Sequence, residues 1–262
     1  MHIVIDLQGA QSHSRLRGIG RYSLSLAQAI VRNRGEHEIT LVLSGLLPDA
    51  ILEIRQSFEG LLPQDKILVW HAPGPVHQSD PLNHLRRECA QVIREAFIAS
   101  LKPDLVHLMS LFEGFGDDAV SSIGEFDSRT PVSVILYDLI PLLNPEHYLQ
   151  KRPLYEQYYR QKIAYLKRAN MCLAISESSR QEGLSELGLD QENAVNISTA
   201  GEAHFKPLQV DESLSAKIKA RYGISRPFLM YTGGIDYRKN LDGLIQAFAV
   251  LPSTLREHYQ LL

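Results

Sequence analysis

The chain has 262 residues, 44% hydrophobic and 22% charged, with a formal net charge of −3. That balance is ordinary for a soluble globular protein with a sizeable core, and it gives no reason to expect a nucleic-acid binder. No run approaches the roughly 18 apolar residues of a membrane span. The start, MHIVIDLQGA, lacks the basic-then-apolar order of a signal peptide.

The elements follow a simple alternation. HIVID (2–6) predicts a buried strand, then a glycine loop and a helix over 20–33. HEITLVLS (37–44) predicts the next strand, followed by a helix near 48–58. KILVWHA (66–72) predicts a third, then a Pro/Gly/His loop and a long helix over 81–101. PDLVHLMS (103–110) and PVSVILYD (131–138) are further strands, each introduced by proline. A helix over 153–169 carries Tyr155, Tyr158, Tyr159 and Tyr165 near helical spacing. MCLAIS (171–176), a helix over 177–188 and NAVNIS (193–198) complete seven strands. Near-continuous apolar strands separated by helices predict an α/β fold, a doubly wound and mostly parallel sheet. Residues 1–205 read as one domain and 206–226 as a linker with a helix over 211–222. Residues 227–262 read as the start of another domain: strand 227–233, helix 239–250 and the first residues of a strand in HYQLL. Cys89 and Cys172 belong to no CxxC pair and read as reduced core residues of a cytosolic protein.

Several strand-end loops carry residues suited to chemistry. In the first loop, Gly18 and Gly20 open a helix, where glycine lets backbone N–H groups approach an anion or merely permits a tight turn. The spacing is not the GxGxxG of nicotinamide dinucleotide sites. Asp138, at the end of the fifth strand, is a catalytic or substrate-binding carboxylate or a loop cap, and Tyr137, the second catalytic candidate, a hydrogen-bond donor to substrate or part of the cleft wall. Glu113 is a ligand candidate, while Asp117 and Asp118 read as the first turn of a helix. Ser176 reads as an N-cap, and His107 as a core or supporting residue. In GGIDYRKN (233–240), Gly233 and Gly234 permit close backbone approach while Arg238 and Lys239 supply positive charge. That is a diphosphate grip or a solvated basic turn, and its place at a strand end favours the grip. The sequence has no HExxH, EF-hand, GxSxG or GxxxxGK[ST] motif.

With GIGRY (18–22), YDLIPLLNPE (137–146), AISESSRQ (174–181) and YTGGIDYRKNLDGLIQAFA (231–249) in this order, the chain resembles a retaining glycosyltransferase of the group 1 family. That family has two Rossmann-like domains in a GT-B fold, and the resemblance covers essentially the whole chain. It implies an acceptor-side domain with Arg21, Tyr22 and Glu113 at the acceptor. Lys239, Arg238, Gly233, Gly234, Gly18 and Gly20 would contact the donor phosphates. Many members have arginine where this chain has Gly234, so Arg238 would supply the missing charge. Many have histidine where Tyr137 stands, and Asp138 would orient acceptor or sugar. Transfer of a mannosyl or related hexosyl unit in surface polysaccharide assembly, as in lipopolysaccharide, is implied. Cations and helix N-termini would stabilise the departing diphosphate, with no protein nucleophile.

The resemblance further implies no cofactor and no metal beyond the nucleotide-sugar co-substrate. Partners would be that donor and a saccharide or lipid-linked saccharide acceptor, with no nucleic acid. Placement in the cytoplasm at the inner membrane face, peripheral membrane association and self-association through an incomplete edge all accord with it. The family's later pair of donor-site glutamates is absent from this sequence, which therefore reads as truncated and inactive alone. The alternatives are a non-catalytic sugar- or partner-binding module, a sugar-nucleotide epimerase of the same architecture and, least favoured, a nicotinamide dehydrogenase.

Overall fold

A computed structural model describes residues 1–201, 205–207, 209 and 211–262. The chain divides into two compact units, Met1–Glu202 and Ala203–Leu262. Residues 202–204, 208 and 210 of the expected boundary stretch lie outside the described residues.

The first unit begins with β1 (His2–Asp6), α1 (Gly18–Arg32), β2 (Glu38–Ser44), α2 (Ile51–Ser57), β3 (Ile67–Trp70) and α3 (His84–Ser100). It continues through β4 (Leu105–Leu108), β5 (Val132–Leu136), α4 (Ile140–Leu143), α5 (Pro145–Tyr148), α6 (Pro153–Leu166), β6 (Met171–Ala174), α7 (Glu177–Leu187) and β7 (Ala194–Asn196). The seven strands form one sheet in the order β3-β2-β1-β4-β5-β6-β7, every pair parallel. Central β1 sets Ile5 between Leu41 and His107. Successive side chains leave opposite faces of a strand, so Ile5 joins a cluster with Leu41, Phe58 and Met109 while Val4 joins Val42, Trp70 and Ala90 on the other. Both faces are covered, which is why the strands are apolar at nearly every position.

The strand and helix order follows the sequence reading, with shorter strands. Three features differ from it. The short helices α4 and α5 went unread because Pro141 and Pro145, compatible with a helix's first turn, look like breakers in a sequence. No helix follows Asp117 and Asp118: residues 109–131 contain neither helix nor strand. Asp117 instead accepts from the His13 and Ala119 amides (2.6 and 3.1 Å), and Asp118 from those of Val76 and His77 (2.6 and 2.9 Å). Cys89 is exposed rather than in the core, because α3 carries apolar residues on its solvent side as well; Cys172 is buried. Ser176 does cap α7, accepting from the Ser179 amide at 3.1 Å.

A long irregular segment needs partners for its backbone groups, and here α3 supplies them. Glu95 accepts from the amides of Glu125, Phe126 and Asp127 and from Ser122 Oγ. Its neighbour Arg94, 1% exposed, donates to Asp6 Oδ2 at 2.6 Å and to the Ser122 carbonyl at 3.2 Å. Asp6 also receives the Gln8 amide (3.0 Å), and the Gln8 side chain bonds both backbone groups of Val120.

The second unit holds α8 (Glu212–Tyr222), β8 (Phe228–Leu229), α9 (Leu241–Ala249), α10 (Ser253–His258) and β9 (Gln260–Leu261). Its two short strands pair in parallel. None of its described residues is buried, and Ile235 and Val250 are 94% and 82% exposed. Among the described residues no helix is long and apolar enough to cross a membrane.

Two outcomes follow for stability. Arg94→Ala leaves the Asp6 carboxylate buried without its cation, so it should cost about 3–5 kcal/mol, read by urea unfolding. His107 is buried on β4, its Nδ1 on Ser133 Oγ (2.8 Å) and its Nε2 without a partner, and burial lowers its pKa to about 4. The unfolded histidine protonates near 6.5, so below that pH the unfolded chain binds a proton that the folded one refuses. Stability from this group is present above about pH 6.5 and falls by about 3 kcal/mol by pH 4. A His107→Leu variant should show a correspondingly flatter acid limb than the unaltered chain in parallel unfolding curves; equal slopes would contradict this.

Candidate functional site

In an open parallel sheet the ligand crevice lies at the carboxyl ends of the strands, where the strand order reverses. Here that point is between β1 and β4, and the loops following both strands meet there. The loop after β1 is fastened on its β2 side by Gln11, whose side chain accepts from the Ser44 amide (2.7 Å) and donates to the carbonyls of Ser44 and Leu47. Gln11, Ser12, His13, Arg15, Leu47 and Asp49 line part of a cleft of about 440 Å³ beside it.

The start of α1 is the most polarised feature of this edge. Arg17 occupies the N-cap position and provides no side-chain cap. The Arg17 and Gly20 amides both donate to the Ser14 carbonyl, at 2.8 and 3.1 Å. The amides of Gly18 and Ile19 meet no acceptor among the described residues. Arg15, Arg17 and Arg21 lie in or next to this turn along the chain, and among the described residues none is in an ion pair. Open amides, the positive end of a 15-residue helix and three guanidinium groups suit an anion. The sequence reading named Arg21 but passed over Arg15 and Arg17; the signal was the basic spacing at 15, 17 and 21 before a helix.

The two glycines of this loop differ. A Cβ on Gly20 would lie 2.3 Å from Arg15 Cα and 2.4 Å from the Ser14 carbonyl oxygen, whereas one on Gly18 would meet nothing within 4 Å. Gly20 therefore serves the tight turn, and its amide is already bonded rather than offered to a ligand. Gly18 keeps an open amide.

Tyr137, a substrate hydrogen-bond donor or part of the cleft wall by sequence, turns its hydroxyl inward. Its hydroxyl lies 3.1 Å from Ser23 Oγ and reaches the carbonyls of Met109 (3.1 Å) and Ile19 (3.3 Å). Burial raises its pKa, and its ring meets that of Tyr22 edge-on at 5.7 Å. Tyr22 in turn donates to the Ser198 carbonyl at 3.1 Å. Glu113, expected at the acceptor, is 5% exposed and accepts from Ser110 Oγ (2.8 Å) and Ser14 Oγ (3.2 Å). Burial raises its pKa against the opposing pull of the Ser12, Ser110 and Ser14 hydroxyls. Both placements have one cause: the sheet edge has its own backbone and hydroxyl groups to satisfy, and these side chains satisfy them. Asp138 is exposed, with Oδ1 accepting from the Ile140 amide at 3.2 Å as a loop cap.

In the second unit, Gly233 and Gly234 follow β8, and the Tyr231 hydroxyl donates to the Gly234 carbonyl at 2.9 Å. Asp236 accepts from the Arg238 amide (3.0 Å) and pairs with Arg238 Nε (2.9 Å), capping the turn Tyr237–Lys239. Asn240 then caps α9. Arg238 is thus held against Asp236, and Lys239 is exposed one residue before that cap. Among the described residues no group of three or more His, Cys, Asp or Glu side chains could hold a metal ion.

No protein-family model matches the chain. The serotype-specific mannosyltransferase WbdA of Escherichia coli is 34% identical over all of this chain. A second WbdA of Escherichia coli is 31% identical over 90% of it. The chain is similar to both. It spans about a third of the length of these relatives, 31% and 29% respectively. Among solved structures, Anabaena Alr3699/HepE in complex with UDP and glucose superposes on the whole chain with a TM-score of 0.56 at 16% identity, over 60% of its own length. The same protein in complex with UDP-glucose gives 0.54 at 16% identity, over 59% of its length. These likenesses establish the fold.

The glycine contrast gives a direct check. Gly20→Ala forces the Ser14–Arg15 backbone to move and should cost about 1–3 kcal/mol, as overpacking does. Gly18→Ala should leave the unfolding midpoint within about 0.5 kcal/mol of the original.

Proposed function

We propose that this chain is part of a retaining hexosyltransferase that passes a mannosyl or related unit from a nucleotide sugar to a saccharide or lipid-linked saccharide acceptor in surface polysaccharide assembly. The observation that carries the reading is the start of α1 at the β1/β4 reversal: two open amides and three arginines that, among the described residues, make no ion pair, at the crevice of a parallel sheet. The similarity to WbdA over all of this chain supports the mannosyl assignment, and the UDP-sugar complexes of HepE support a nucleotide-linked donor.

The chemistry follows from the leaving group. A nucleoside diphosphate departs with increased negative charge, and preorganised amides and cations lower the energy of that charge more in the transition state than before it. In the first unit, taken by itself, the Gly18 and Ile19 amides with Arg15, Arg17 and Arg21 would hold such a charge; in the second, taken by itself, Lys239 with the Gly233–Gly234 backbone would contact a donor phosphate. Asp138, exposed at the end of β5, would orient the acceptor hydroxyl or the sugar. Attack on the same face as departure, with the leaving phosphate oxygen taking the acceptor proton, needs no protein nucleophile. Among its described residues the second unit has a two-stranded sheet and no buried residue, so the 262-residue chain is expected to bind donor weakly and not to turn it over.

Calorimetry with a panel of nucleotide sugars tests this. A nucleotide-linked mannose should bind in preference to other sugars on the same nucleotide, and Lys239→Ala should weaken it about tenfold, as loss of one charged contact does. Unchanged affinity in that variant would remove Lys239 from the donor site.

A further inference from the structure

Glu113 is the least expected residue of the crevice. A buried carboxylate is costly unless it is hydrogen-bonded, and the loop after β1 does not need it merely to stay in place. Asp117 already holds the His13 amide at 2.6 Å, and Gln11 already ties the loop to the end of β2. What Glu113 reaches is Ser14. Its Oε2 accepts from Ser14 Oγ (3.2 Å) while Oε1 accepts from Ser110 Oγ (2.8 Å), just past the end of β4. Ser14 is the residue whose carbonyl receives both the Arg17 and Gly20 amides, and whose own amide donates to Ser12 Oγ at 3.1 Å. A single carboxylate, able to accept from both sides at once, therefore joins β4 to the acceptor that shapes the first turn of α1.

We propose that Glu113 is a positioning residue: acting through Ser14, it fixes the direction in which the Gly18 and Ile19 amides face a bound anion. This rests on the anion reading of that helix start given above. Glu113 touches no substrate in this assignment. Its effect is geometric, since an anion held by two backbone amides is sensitive to small displacements of either donor.

The experiment uses the 262-residue chain with inorganic pyrophosphate as probe, and compares Glu113→Gln, Ser14→Ala and the double variant. Calorimetry should show each single change weakening pyrophosphate about tenfold, the loss expected of one hydrogen bond to a charged group. The double variant should be no weaker than Glu113→Gln alone, because both changes cut the same path. Amide hydrogen exchange should quicken about tenfold or more at Arg17 and Gly20 in every variant, with β5 amides unchanged. Unaltered exchange at Arg17 and Gly20, or fully additive losses of affinity, would overturn the assignment. Should Glu113→Gln fail to fold, Ser14→Ala decides, since it keeps the Glu113 contact with Ser110. Absence of pyrophosphate binding by the unaltered chain would overturn the anion reading, while the exchange comparison would still decide whether Glu113 sets the turn.

Discussion

The first unit is organised around one buried ion pair, Asp6 with Arg94. Asp6 ends the central strand, Arg94 lies mid-way along the helix that covers one face, and the contact fixes how the two are set. The same two residues reach further: Asp6 receives the Gln8 amide at the start of the loop, and Arg94 reaches the Ser122 carbonyl in the segment between β4 and β5. A buried pair of this kind contributes little net stability against an apolar substitute, because desolvation opposes the attraction. Its value here is in register. It makes the two irregular segments that frame the crevice answer to the same helix.

Above that anchor, the buried part of the crevice mixes charged groups and serine hydroxyls, Asp6, Arg94 and Glu113 with Ser12, Ser23 and Ser110. Tyr137 is half-buried, and the open amides of α1 with their arginines lie farther out. The second unit repeats the outer layer alone, with a capped turn and a lysine at the end of a short strand. It has no inner layer, since none of its described residues is buried. The two loops thus offer similar chemistry on supports of very different rigidity.

The order of strands and helices was legible because a parallel sheet covered on both faces demands apolar runs, and HIVID or PVSVIL can be little else. The αβ alternation and the helix cap at Ser176 are local, and local signals survive in a sequence. What could not be read depended on partners far along the chain. Asp117 and Asp118 look like helix starters, yet their amide partners are at His13, Val76 and His77. Tyr137 and Glu113 look like ligands at strand ends, yet Ser23 and Ser14, more than 90 residues earlier in each case, claim them. Cys89 was misplaced for a different reason: a helix with apolar residues on both sides has no single periodicity to follow. Where a residue type suits both chemistry and satisfaction of a buried backbone, only its neighbours decide.

The strand order has a consequence for how the chain is made. The central strand finds its first partner, β2, within 40 residues or so, but its second, β4, begins at Leu105. At a synthesis rate of about 5–20 residues per second, β1 would wait on the order of 3–14 s for it after β2 has been made. During that interval one edge of the central strand stands unpaired beside Val4 and Ile5, both fully buried in the finished sheet. Long-range parallel pairing is slow for the same reason. The nascent chain is therefore most open to wrong partners before its middle has emerged, and the arrival of β4 and of Arg94 just ahead of it marks the end of that exposure.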